Sequence, residues 1–145
     1  MSGTRLELSP SWTLAAAILA LHAAAAASMF VAIPGPVGVL LGGAFLALGA
    51  AAAWSRALLA APGSPRALEL SGPQLRLELK DGARWAAELA ERRHVSRFMV
   101  TLPLVRPRRR TVLVTRDMLQ AEEFRRLRLW ALWGKLPVAG KQLQA

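Results

Sequence analysis

Residues 13–33 read TLAAAILALHAAAAASMFVAI and residues 37–54 read VGVLLGGAFLALGAAAAW, with Pro34-Gly35-Pro36 between them. This stretch decides the fold. From position 8 to position 55, 48 consecutive residues, there is no Asp, Glu, Lys or Arg. A water-soluble domain could hardly hide so long an apolar run. Crossing about 30 Å of hydrocarbon takes about 20 helical residues. Runs of 21 and 18 residues meet that length, and the second extends to Leu59 if the long stem of Arg56 carries its charge to the headgroups. Pro-Gly-Pro breaks a helix without adding a charge, which suits a tight turn at the far membrane face. The spacing predicts a transmembrane hairpin over residues 13–59, with spans 13–33 and 37–59.

Alanine supplies much of the apolar character, so insertion is favoured only moderately: strong apolar residues contribute about −0.3 to −0.6 kcal/mol each. Ala16, Ala20, Ala24 and Ser28 recur every fourth position along the first span. Gly38 and Gly42 form a G-x-x-x-G in the second. Small faces let helices approach closely in lipid, so these six residues are read as the packing face between the spans. Two alternatives stay open: a compositional bias toward Ala, Gly and Arg, or a homodimer through the same face. His22, inside the first span with no acidic partner in either, reads as a packed or interfacial residue rather than a functional one. A cleaved signal peptide is disfavoured, because Glu7 accompanies Arg5 before the apolar run and a second span follows directly.

Outward from the hairpin the chemistry changes. The 145-residue chain carries 19 Lys+Arg against 9 Asp+Glu, a formal charge of +10, and no Cys. Residues 56–145 hold 18 of those cations and 8 of the acids, so the whole excess lies there. The positive-inside rule places that half in the cytoplasm, and two spans return residues 1–12 to the same side. Trp12 and Trp54 fall at the two cytoplasmic ends, where aromatic belts sit.

After a Pro/Gly/Ser linker at 60–66, Leu75-Arg76-Leu77-Glu78-Leu79 alternates strictly, the mark of a half-buried strand. Asp81-Gly82 supplies hairpin-turn residues, and residues 85–89 are its expected partner. Residues 95–105 are a longer apolar run interrupted by Pro103, which implies an edge or a bulge. Residues 111–115 (TVLVT) are a β-branched strand. Arg5-Leu6-Glu7-Leu8 alternates as well and is read as a further strand. A helix is expected over 118–133, capped by Asp117 with Gln120 three residues on, stabilised by a Glu122–Arg126 pair and ended by Gly134 and Pro137. The expected architecture is a membrane two-helix hairpin followed by a small antiparallel β-meander (67–134) packed by one amphipathic helix, with a tail at 135–145.

Catalytic signals are poor. His22 and His94 stand apart, no His/Asp/Glu spacing fits a metal, and no nucleophile or phosphate-loop motif occurs. The reading is a binding protein rather than an enzyme, with no cofactor. The chemistry that stands out is cationic: Arg92, Arg93 and Arg97; Arg106, Arg108, Arg109 and Arg110; Arg125, Arg126 and Arg128. Such a surface fits anionic lipid headgroups or an acidic protein, which arginine's planar fork grips in bidentate fashion. Nucleic acid is disfavoured, since interleaved aromatics and a reading motif are lacking.

The order of parts resembles a family of small bacterial inner-membrane proteins, the YgfX-type or CptA-like proteins. The likeness rests on Leu6-Glu7-Leu8-Ser9-Pro10-Ser11, the hairpin, Ala67-Leu68-Glu69-Leu70, and the closing run. That run is Arg109-Arg110-Thr111-Val112-Leu113-Val114, Asp117-Met118-Leu119 and Glu122-Glu123-Phe124-Arg125-Arg126-Leu127-Arg128-Leu129-Trp130. The resemblance implies the membrane-bound toxin of a toxin–antitoxin pair, acting on the cytoskeletal proteins FtsZ and MreB. It also implies a small soluble antitoxin of the flavinylation-factor family as partner. It carries no catalytic residues. The expectation is a multi-pass protein of the bacterial inner membrane with both termini cytoplasmic, inhibiting division or shape filaments through its basic domain. The alternative is an adaptor or assembly factor at the anionic inner leaflet, without toxin action.

Overall fold

A computed structural model describes residues 3–134. The expected tail at 135–145, and the first two residues of the N-terminal arm, lie outside the described residues.

Two long apolar helices come first. Helix α1 runs Trp12–Ala32, and the Ser11 Oγ accepts the Leu14 backbone N–H at 3.0 Å to cap it. Helix α2 runs Pro36–Ala52, its proline in the first turn where no N–H is needed. One π-helical turn, Ala53–Ala57, extends it. Gly35 makes the bend between the prolines at φ +94°. Both helices are long and apolar enough to cross a membrane, yet only 11% and 22% of their most apolar stretches are buried. Leu19, Leu21, Val31, Val39, Leu40 and Leu48 point outward. Such a surface is stable in lipid and costly in water.

The helices meet through glycine notches. A Cβ on Gly38 would run into the Ile33 carbonyl oxygen, one on Gly42 would lie 2.6 Å from Phe30 Cζ, and one on Gly49 2.6 Å from His22 Cβ. Phe30 and His22 of α1 therefore fill gaps in α2, and the backbone at Ile33 passes close to Gly38. The buried and half-buried face of α1 is Ala15, Ile18, His22, Ala26 and Met29. The row Ala16, Ala20, Ala24 and Ser28, expected at the packing face, lies on the opposite, exposed side. In a helix this rich in alanine any i, i+4 row is small, so smallness does not choose a face. His22 Nδ1–H donates to the Ile18 carbonyl at 2.8 Å, satisfied within its own helix.

The remaining strands are β1 (Thr4–Glu7), β2 (Pro65–Ser71), β3 (Gln74–Leu79), β4 (Arg84–Leu89), β5 (His94–Val95), β6 (Met99–Arg106) and β7 (Arg110–Thr115). They form a curled antiparallel sheet in the order β1-β2-β3-β4-β6-β7, with short β5 beside β6. The N-terminal arm thus belongs to the sheet: Leu6 pairs with Leu68 and is fully buried. The linker is shorter than its composition implies, because β2 starts at Pro65. Leu75, Leu77 and Leu79 point inward while Arg76 and Glu78 face out. Each fully buried leucine contributes about 1.5–3 kcal/mol. Within β6 a bulge falls opposite Val105, where the register shifts between Glu88 and Leu89, and Pro103 lies just beyond the last β4–β6 pair, its carbonyl accepting the Ala90 N–H. Proline's missing donor thus falls where the β4–β6 ladder has ended.

Helix α3 begins later than the sequence implies, at Ala121 rather than 118, and runs Ala121–Trp133. Its cap is the reciprocal Gln120–Glu123 box. Arg116–Met118 is a separate 3₁₀ turn. Phe124, Leu127, Trp130 and Ala131 seal the sheet's inner face, and the Trp130 indole N–H donates to the Gly72 carbonyl at 2.7 Å. The expected Glu122–Arg126 ion pair does not form.

Candidate functional site

Hairpin and β-domain are joined at Asp117. Its carboxylate accepts hydrogen bonds from Ser11 Oγ at 2.6 Å, Thr13 Oγ1 at 2.7 Å and Thr115 Oγ1 at 2.6 Å. One oxygen, Oδ2, takes both residues at the start of α1. The Ser9 N–H adds a backbone bond to the Met118 carbonyl at 2.8 Å, and the Ser11 N–H one to Ala57 at the end of α2. Burial, the strongest single influence, pushes the Asp117 carboxyl upward. The hydroxyls of Ser11, Thr115 and Thr13, helped by the backbone, outweigh it and hold the pKa below the ordinary aspartate range. Asp117 is therefore an ionised acceptor at neutral pH, suited to joining elements rather than to moving protons. Reading it as a helix cap missed this. Ser11 beside an apolar run and Thr115-x-Asp117 each have a local turn reading, and nothing in one sequence links positions 106 residues apart.

The arginines of the three groups are put to different uses. Arg93 is used in packing: its guanidinium lies 5.5 Å from the Trp130 ring centre, and Nη1 donates to the Ala131 carbonyl. Arg106 pairs with Glu88 across the sheet at 3.7 Å. Arg110 donates to the Gly63 carbonyl in the connection from α2. Arg97 stacks over Phe98 at 4.7 Å, and Phe98 itself is exposed beside the Asp117 junction. Arg128 is half-buried. Arg92, Arg108, Arg109, Arg125 and Arg126 are exposed, and among the described residues none has a carboxylate within 4.0 Å.

A cation absent from the sequence-based set joins the second group. Arg56, in the last turn of α2, shares a groove with Arg109 and Arg110. Burial first, and then the nearby charge of Arg56, lower the Arg110 pKa from its ordinary value. Among the described residues no cluster of three His, Asp or Glu could hold a metal ion.

These parts define a class: a small basic β-domain locked by hydrogen bonds to a pair of apolar helices. Comparison with protein families makes the class specific. The model of the CptA toxin family, described as the membrane-bound toxin component of toxin–antitoxin system, matches residues 2–135. The chain belongs to that family, and it is membrane-bound. No curated protein and no solved structure matches it.

Proposed function

We propose that this toxin component acts by binding, without catalysis, and that its targets are acidic filament proteins of bacterial division and cell shape, of the FtsZ and MreB type. The observation that carries the reading is the set of exposed guanidinium groups with no carboxylate within 4.0 Å among the described residues, on a domain locked to the apolar helices. The helices cross the inner membrane as a hairpin, with both termini and the β-domain in the cytoplasm, because the cationic excess follows the second helix. Confinement to the membrane plane raises the domain's effective concentration near membrane-attached filaments. Long-range attraction between opposite charges steers the encounter and weakens with salt. A small soluble antitoxin of the flavinylation-factor family would compete for the same cations.

The test is co-sedimentation of the detergent-solubilised full chain with polymerised FtsZ-type filaments. Arg108→Gln/Arg125→Gln/Arg126→Gln should reduce capture about tenfold or more while leaving thermal stability unchanged. Capture by the triple variant equal to wild type sinks the docking surface. An adaptor role at the inner leaflet is the second reading, favoured by exposed Phe98 beside the hairpin. Overexpression with no change in cell shape or division would select it.

A further inference from the structure

The groove at the end of α2 carries more than a diffuse charge. It is about 750 Å³ in volume, and its walls come from both halves of the molecule: Ser55 and Arg56 from the helix, Val105, Arg109, Arg110 and Thr111 from the β6–β7 hairpin. Among the described residues, no Asp or Glu lines it. Arg56 and Arg109 are exposed and, among the described residues, have no carboxylate within 4.0 Å, and Arg110 is fixed by its bond to the Gly63 carbonyl.

Like charges so placed repel unless something anionic lies between them. Arg110 is half-buried and shares its groove with Arg56, so desolvation and then like charge both work against its charged form. The position limits what that anion is. Trp54, 59% exposed, precedes Arg56 by two residues, so the groove opens where an apolar helix leaves hydrocarbon. Val105, 40% exposed, gives one wall an apolar surface beside the cations. Guanidinium groups above an apolar wall, at headgroup depth, match the phosphate and glycerol of a phospholipid.

We infer that Arg56, Arg109 and Arg110 form a discrete site for the phosphate of one anionic phospholipid. This rests on the hairpin spanning the bilayer, and it differs from a general attraction to the leaflet because it is stoichiometric. The bound phosphate bridges α2 to the β6–β7 turn, at the same end of the hairpin as the Asp117 junction but on the other helix. The domain is then held to the membrane at two places, by hydroxyls at α1 and by a lipid at α2.

Native mass spectrometry of the full chain released from neutral detergent, with phosphatidylglycerol or phosphatidylcholine added, tests this. Wild type should retain one phosphatidylglycerol in clear preference to phosphatidylcholine. Arg56→Gln/Arg109→Gln, which leaves the Arg110–Gly63 bond intact, should weaken retention about thirtyfold, as two basic contacts of ordinary strength imply. Arg125→Gln/Arg126→Gln removes the same charge from α3 and should retain the lipid as wild type does. Unchanged retention in the first variant, equal loss in the second, or equal retention of the two lipids overturns the site. Displacement by millimolar inorganic phosphate would assign it to a free anion and overturn the lipid. Failure of these outcomes leaves filament capture by Arg108, Arg125 and Arg126 untouched, so the two ideas fail separately.

Discussion

Asp117→Ala should loosen the hairpin from the β-domain, and the cost can be worked out from its three partners. A hydrogen bond to a charged group contributes about 1.5–3 kcal/mol when water is excluded. Thr13 is exposed and Thr115 half-exposed, so their hydroxyls turn to water and lose little. Ser11 is fully buried. Its hydroxyl still accepts from the Leu14 N–H, but its own proton is left without a partner. Because Asp117 itself is exposed, water partly replaces it, and the expected total is about 1–2 kcal/mol, most of it from Ser11. Asp117→Asn keeps one acceptor oxygen and should cost about half as much. A Ser11→Ala/Asp117→Ala double-mutant cycle should give a coupling of about 1–2 kcal/mol. Ser11→Ala alone also removes the α1 cap, at about 1 kcal/mol.

Hydrogen exchange at the first-turn amides of α1, in non-ionic detergent, reads the opening free energy directly. The carboxyl pKa is depressed in the folded protein. Its contribution is therefore complete above the ordinary aspartate range and is lost as pH falls through the lowered value. The difference between wild type and Asp117→Asn should be constant near neutrality and shrink only in strong acid. An opening free energy within about 0.5 kcal/mol of wild type for Asp117→Ala, or additive single mutants, would refute the junction.

Within the hairpin, Gly38→Ala should destabilise by about 1–3 kcal/mol, because the new methyl meets backbone at Ile33. Gly42→Ala should cost less, since only the tip of Phe30 must move, and Gly43→Ala, which faces open space, should cost little; thermal unfolding in micelles ranks the three. Ala20→Leu, on the outward face of α1, should fall within about 0.5 kcal/mol of wild type in the same assay. Trp130→Phe keeps the ring in the core but drops the bond to Gly72, and should lower stability by about 1 kcal/mol in denaturant titrations.

Much of this form is legible in the amino acids because single-element signals are local. Forty-eight uncharged residues, the Leu75–Leu77–Leu79 alternation and TVLVT each announce an element without help from the rest of the chain. Arg5-Leu6-Glu7-Leu8 announces a strand too, although its partner β2 lies beyond the hairpin. What stayed hidden depends on which elements meet. The alanine row of α1 faces outward because α2 offers notches at Gly42 and Gly49, and notches accept Phe30 and His22 rather than more alanine. Asp117 looked like a cap because its hydroxyl partners include residues 104 and 106 positions away. With that carboxylate committed, the helix starts at the next capping box, Gln120–Glu123. The arginines were visible one by one. Their division into packing groups (Arg93, Arg110), a cross-strand pair (Arg106) and exposed cations needed Trp130, Gly63 and Glu88 in three dimensions.

The natural chain has no cysteine, so single thiols can report its topology against a silent background. Pro34→Cys marks the turn between the apolar helices and Gln74→Cys the start of β3, both exposed positions. A membrane-impermeant maleimide applied to intact spheroplasts should label the first and leave the second unlabelled until the membrane is broken. Labelling of Gln74→Cys from outside, or recovery of the unmodified chain in the soluble fraction, would contradict a bilayer hairpin that holds its basic domain on the cytoplasmic side.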